Sequence, residues 1–341
     1  MQGGKKLDKG TEKKMDTNID KDTNKDKDVP QQIVISDDQH GLPYSKGLMA
    51  SALMATGLPP SRSYEIARLI QRQLVDDGRF SIKVDELREL VYHVLLKHQG
   101  KLYANKYRRW QALLNVDRPI IVLVGGTTGV GKSTIATAVA HRLGITHVVA
   151  TDSLREVMRA VLSKDLIPSL HESSFMAWKA VNKSFEKDPL INGFIEQVKI
   201  VSVSIRAVVD RAIREGQNVV IEGVHVVPGF INTPMYEKAF VIPMIITVDD
   251  EDLHRSHFYI RELQTEGARP FERYKENFES IRRIGDYINN LAREYDISVI
   301  SSHSLDTTIT GALEQVLNHV LGPPENEDKT AMSVLDREDF E

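Results

Sequence analysis

The chain has 341 residues, 41% hydrophobic and 27% charged, with a net charge of -4 and no cysteine. That balance belongs to a globular protein long enough for two domains plus tails, and it offers no basic excess for nucleic acid. Without cysteine there is no disulfide, thiol catalysis or cysteine-ligated metal. No apolar run approaches the roughly 20 residues that span a bilayer, and the absence of an apolar N-terminal core points to a cytoplasmic protein.

Residues 1–29 alternate Lys and Asp with almost no large apolar side chain, and residues 323–341 are mostly acidic. Neither segment has enough apolar surface to offset the entropy of ordering, so both are expected to be disordered. Residues 30–116 form a small, mainly helical domain. Ile33–Ile35 is a short strand, followed by a turn at Asp37–Gly41. Ser45 caps a helix running to about Ala55, and Gly57 with Pro59-Pro60 ends it. Ser61 or Ser63 caps the next, with Ile66, Leu69, Ile70 and Leu74 on one face and a stop at Gly78. Asp85 caps a third, with Leu87, Leu90, Val91, Val94 and Leu95 sharing a face. A fourth covers Leu102–Leu114.

From Ile120 the pattern changes, and residues 117–322 form a second domain. Buried strands at Ile120–Val124, His147–Ala150, Asn218–Ile221, Phe240–Val248 and Ile297–Ser301 alternate with helical stretches. This predicts an α/β fold, a parallel sheet with helices on both faces.

Gly126, Thr127, Thr128, Gly129, Val130, Gly131, Lys132 and Ser133 fit the phosphate-loop pattern G-x-x-x-x-G-K-[ST] in full, with Thr134 next. A strand enters the loop and a helix leaves it, as the chemistry requires. The glycines let backbone N–H groups converge on phosphate oxygens, and the helix adds its positive end. Lys132 reaches the β- and γ-phosphates of ATP, and the Ser133 hydroxyl ligates Mg²⁺ or another divalent cation.

Ligands of open parallel sheets bind beyond the carboxyl ends of the strands. Asp152 stands there after the second strand, suited to orient and deprotonate an acceptor hydroxyl, or to cap a helix. Arg155 and Arg159, four residues apart, share a face suited to a carboxylate or phosphate. Glu222 follows Val219–Ile221 in the manner of a Walker B carboxylate, a second candidate for the cation. Gly223 leaves room for a ligand and turns His225 toward the cleft. After the fourth strand, Arg255 and Arg261 are candidate catalytic lid residues, with Arg269, Arg273, Arg282 and Arg283 behind them. His254 and His257 have the spacing of a metal pair but no third ligand, so no zinc is assigned. The loop Ser301–Ser304 lies near the base of the nucleotide.

In the second domain, Val124–Thr134, Ala150–Arg159, Ile221–His225 and His254–Phe258 resemble 2-phosphoglycerate kinase, an archaeal P-loop enzyme family, in order over about two hundred residues. Gly41–Lys46 and the helices after it look like an ATP-cone, a small regulatory nucleotide-binding domain, with Lys46 as the one residue singled out. The resemblance implies a P-loop NTPase core behind an ATP-cone, and ATP-dependent phosphorylation of 2-phosphoglycerate to 2,3-bisphosphoglycerate, the precursor of cyclic 2,3-bisphosphoglycerate. It implies a regulatory nucleotide at the cone and leaves the oligomeric state open; the charge balance and the short apolar runs point to no nucleic-acid or membrane partner. Arg155, Arg159 and His225 suit an acceptor bearing a carboxylate and a phosphate. The alternatives are a kinase for a sugar or inositol phosphate, and a nucleotide-sensing regulator without catalysis.

Overall fold

The computed structural model describes residues 33–36, 41–180, 188–267 and 269–324. The arm at 1–29, most of the turn after the first strand and nearly all of the acidic tail lie outside these residues. No helix among the described residues is long and apolar enough to cross a membrane.

The N-terminal unit is a three-stranded sheet with four helices. Its elements are β1 (Val34–Ser36), β2 (Gly41–Pro43), α1 (Lys46–Met54), α2 (Pro60–Asp76), β3 (Ser81–Lys83), α3 (Val84–His98) and α4 (Lys101–Leu113). β1 lies centrally, antiparallel to β2 and parallel to β3. Ser45 caps α1, its hydroxyl accepting from Leu48 N. The other two expected caps are corrected. α2 starts at Pro60, whose fixed φ suits a first helical residue, so Ser63 falls inside the first turn, buried, and donates to Leu58 O at 3.3 Å. α3 starts at Val84, and Asp85 instead pairs with Arg88 at 2.9 Å. The apolar stripes meet as expected: Leu53, Ile66, Ile70, Leu74, Val91 and Leu95 form one core.

The second unit comprises β4 (Ile120–Gly125), α5 (Lys132–Leu143), β5 (His147–Ala150), α6 (Thr151–Val161), α7 (Pro189–Glu215), β6 (Val219–Glu222), β7 (Phe240–Thr247), α8 (Glu251–Gln264), α9 (Phe271–Glu276), α10 (Phe278–Glu294), β8 (Ser298–Ser301) and α11 (Leu305–Leu321). The five strands are all parallel, in the order β5-β6-β4-β7-β8. Alternate residues of a strand point to opposite faces. Val122 and Val124 of β4 accordingly pack with α5 and α11, whereas Ile121 and Leu123 pack with α7. This three-layer sandwich is the P-loop NTPase fold.

The register of three adjacent strands shapes the upper edge of the sheet. Glu222 at the end of β6 pairs with both Val124 of β4 and Ala150 of β5. The three carboxyl ends therefore finish level, and the chain leaving each strand opens on one crevice.

The two units share packing. Ala55, Trp110 and Leu113 belong to the same core cluster as α5 and α11. Lys106 of α4 donates to Glu314 of α11 at 2.7 Å, and Arg109 donates to Asn318 Oδ1 at 3.0 Å and to Gly322 O at 2.6 Å.

Candidate active site

The loop between β4 and α5 turns on glycines that tolerate no side chain. Gly126 and Gly129 have φ of 131° and 90°. A methyl group would lie 2.2 Å from Ile246 O at Gly126, and 2.4 Å from the Phe258 ring at Gly129. Lys132, the first residue of α5, reaches back across the loop and donates to Thr127 O at 2.7 Å. It is buried, and burial lowers the pKa of its ammonium while the carboxylates of Glu222 and Asp152 oppose that shift. A buried lysine held beside two carboxylates and one loop carbonyl is a site prepared for anionic ligand oxygens. Val130 is buried beneath the loop, and Thr134 lies exposed on the first turn of α5.

The loop is anchored from outside by two helices. His254 Nε2 donates to Thr128 O at 2.8 Å and His257 Nδ1 donates to Gly129 O at 2.9 Å. The Thr127 hydroxyl donates to Ile281 O of α10 at 2.9 Å. The two histidines thus face loop carbonyls. His254 is fully buried, stacked on Phe258 with centroids 5.2 Å apart and tilted against Phe278 at 5.3 Å. Burial pulls its pKa down to about 4. The ring is therefore neutral near pH 7, with its proton on Nε2.

Ser133 donates to Glu222 Oε1 at 2.9 Å, across the ends of β4 and β6. A hydroxyl beside a buried carboxylate is an all-oxygen donor pair of the kind a hard divalent cation takes. Among the described residues no group of three or more His, Cys, Asp or Glu could hold a metal alone. A cation sharing two protein oxygens with nucleotide phosphates fits this arrangement.

On the other side of Glu222, α6 begins at Thr151 with Ala150 as its N-cap. Asp152 is therefore in the first turn and caps nothing; its carboxylate is exposed, 3.6 Å from Arg155 Nε. Arg155 is nearly enclosed. It donates to Leu170 O at 3.1 Å and Glu172 O at 3.2 Å, and lies 3.1 Å from Glu156. Backbone carbonyls and carboxylates thus engage the Arg155 guanidinium in this structure. Arg159 pairs with Glu156 at 2.6 Å, and its Nε is buried without a hydrogen-bond partner among the described residues.

His225 does not face the cleft, and that expectation is corrected. It is fully buried. Its Nε2 lies 3.0 Å from Gln197 Oε1 and its Nδ1 3.0 Å from the Thr151 hydroxyl. Gln197 donates to Ser169 O at 2.6 Å and Glu172 O at 2.9 Å, leaving its oxygen as the acceptor. The network thereby assigns the proton to His225 Nε2 and makes Nδ1 the acceptor of the Thr151 hydroxyl. Burial lowers this pKa to about 4, with Asp152 pulling the other way. His225 ties the start of α6 to α7 and to the segment 168–172. Gly223 lets Thr151 come so near, since a methyl there would lie 1.8 Å from the Thr151 hydroxyl. Sequence reasoning missed Gln197. The signal was a lone amide on the apolar face of α7, between Phe194 and Val201.

Residues 254, 257, 258 and 261 recur at helical spacing on one face of α8. Arg261 is thus one turn beyond the histidines, 5.9 Å from the Tyr274 ring centre. Arg255 is turned aside, stacked over Phe278 at 3.7 Å and 3.6 Å from Glu251. Three further arginines brace the fold. Arg282 donates to Val248 O and Asp249 O, Arg283 pairs with Asp188 at 2.7 Å, and Arg273 donates to Ser173 at 3.1 Å. In the loop after β8, the Ser302 hydroxyl comes within 4.0 Å of where a Gly131 methyl would be, and Ser301 donates to Asp249 at 2.9 Å.

No family model matches the chain. A 2-phosphoglycerate kinase from Methanopyrus kandleri is 39% identical over 92% of this chain and 94% of its own length. One from Methanococcus vannielii is 41% identical over 85% and 93%. Among solved structures, a shikimate kinase from Acinetobacter baumannii aligns with 62% of this chain and 96% of its own at 17% identity, with a TM-score of 0.35, a likeness too slight to bear on the site.

Proposed function

The chain belongs to the 2-phosphoglycerate kinase family, and on that premise we infer that it transfers the γ-phosphoryl group of ATP to the C3 hydroxyl of 2-phosphoglycerate. The products are 2,3-bisphosphoglycerate and ADP, and the bisphosphate would feed cyclisation to cyclic 2,3-bisphosphoglycerate. The observation that carries the reading is the level edge of β4, β6 and β5. A phosphate cradle with a buried lysine ends the first, a carboxylate beside a serine hydroxyl the second, and an exposed aspartate the third.

In this reading residues 126–134 hold the triphosphate, and Lys132 leaves Thr127 O for the β- and γ-oxygens. Ser133 and Glu222 would hold Mg²⁺, which when bound neutralises charge on the transferring group. Asp152 accepts the hydroxyl proton as O3 attacks the γ-phosphorus and the bond to ADP breaks. Arg159, one-third exposed and paired with Glu156, would meet an acidic group of the acceptor by exchanging that carboxylate for it. Arg155 and His225 act at one remove, holding the start of α6 and the 168–172 segment. Arg261 leads the lid residues because it shares the loop-facing side of α8. Arg255 joins it by exchanging Glu251 for phosphate. Positioning and electrostatics supply the rate enhancement.

We assign the N-terminal unit a regulatory nucleotide, with Lys46 at the exposed start of α1 as a phosphate contact. Support comes from the packing of α4 on α11, which links that unit to the helix leaving the β8 loop. The setting is cytoplasmic, where ATP is supplied.

The test is a panel of anionic acceptors, 2-phosphoglycerate among them, scored by ADP release and product identity. Bisphosphoglycerate formed from 2-phosphoglycerate alone supports the reading. A stronger response to a sugar or inositol phosphate, or no turnover with any acceptor, sinks it.

A further inference from the structure

We propose that His254 and His257 are positioning residues for the phosphate loop, pinning the Thr128 and Gly129 carbonyls outward so that the Gly129 and Val130 N–H groups are aimed at the nucleotide phosphates. The proposal rests on the kinase reading and deepens it.

A trans peptide is planar, with its C=O and N–H pointing in opposite directions. The carbonyl of Thr128 shares its peptide with the Gly129 N–H, and that of Gly129 with the Val130 N–H. An imidazole donor on each carbonyl, at 2.8 and 2.9 Å, therefore fixes where the paired amide points. It also polarises that peptide, which strengthens the inward donor. Lys132 donates to the preceding carbonyl, Thr127 O; once it turns to the phosphates, the two histidines are the side-chain donors that remain on the loop carbonyls. The loop would otherwise rely on glycine-rich backbone with wide conformational freedom. Both imidazoles come from the start of α8, three residues apart, which one helical face requires.

The two rings use different nitrogens, which makes the proposal testable. The amide nitrogen of Gln reaches the position of Nε2, and that of Asn the position of Nδ1. His254→Gln and His257→Asn should therefore keep KM and Kd for Mg·ATP within about twofold of the parent. His254→Asn, His257→Gln and both Leu variants should raise them about fivefold to tenfold, the worth of one hydrogen bond. KM for 2-phosphoglycerate should stay constant throughout. His254 is buried and its variants are the more exposed to misfolding; His257 is half-buried, so its Asn, Gln and Leu series decides the matter by itself. Equal losses for Asn, Gln and Leu at position 257 would reduce the ring to packing and overturn the proposal, as would no loss in any of them. If the parent binds Mg·ATP while the variants fail to separate, only the clamp is wrong. A parent that binds none removes the kinase reading and the clamp together.

Discussion

Ser133 Oγ and Glu222 Oε1 lie 2.9 Å apart, joining the first turn of α5 to the carboxyl end of β6. Replacing Glu222 by Gln keeps the shape but removes the charge. The Mg²⁺ concentration for half-maximal rate should rise about tenfold or more, as for loss of a carboxylate beside a hard cation. A Mg²⁺ titration at saturating ATP measures it, and an unchanged midpoint removes Glu222 from the cation site.

Lys132 separates activity from stability. Its burial disfavours the ammonium, so the protein gains nothing in fold from the charge. Lys132→Met should lower kcat by about a hundredfold to a thousandfold yet melt no lower than the parent. Steady-state kinetics with thermal denaturation checks both, and a large fall in Tm contradicts the assignment.

Two buried neutral histidines set an acid limit on stability. His225 and His254 have folded pKa values of about 4, against 6.5 when free. As pH falls from 6.5 to 4 the unfolded chain takes up protons that the folded chain does not. Stability is therefore full above about pH 6.5 and is lost progressively down to about pH 4, on the order of 3 kcal/mol for each ring. Denaturant midpoints across that range should fall steeply, and His254→Gln should flatten the slope. A parent midpoint independent of pH over this window refutes the account.

Gly223→Ala tests the network around His225. The added methyl collides with the Thr151 hydroxyl, and φ of 151° is already unfavourable for alanine. A cost of about 1–3 kcal/mol from overpacking is expected, with KM for the acceptor rising more than KM for ATP. Equal changes in the two constants would place the effect elsewhere.

Much of this site is local in sequence and therefore legible. The phosphate loop needs one strand, one turn and one helix in succession, and all three are contiguous from Ile120 to Leu143. The five strands are identifiable because each is a short apolar run bounded by helices. The roles of His225 and Arg155 are not, since their partners, Gln197 for the first and the carbonyls of Leu170 and Glu172 for the second, lie elsewhere in the chain. His254 and His257 stand out as a pair, but their acceptors lie more than a hundred residues upstream. The helix starts at Pro60 and Val84 escape a search for capping side chains, because proline and an extended lysine begin those helices instead.

The level strand ends also make the sheet a ruler. Parallel strands lie about 4.8 Å apart, so the ends of β4 and β5, with β6 between them, are separated by about 10 Å. On the proposed reading, that interval would bound how long an acceptor can be when its hydroxyl meets the γ-phosphate and its acidic groups rest against α6. On that reading specificity would drift through substitutions on α6 and the 168–172 segment while the transfer distance stays constant, because backbone hydrogen bonds between the strands set it.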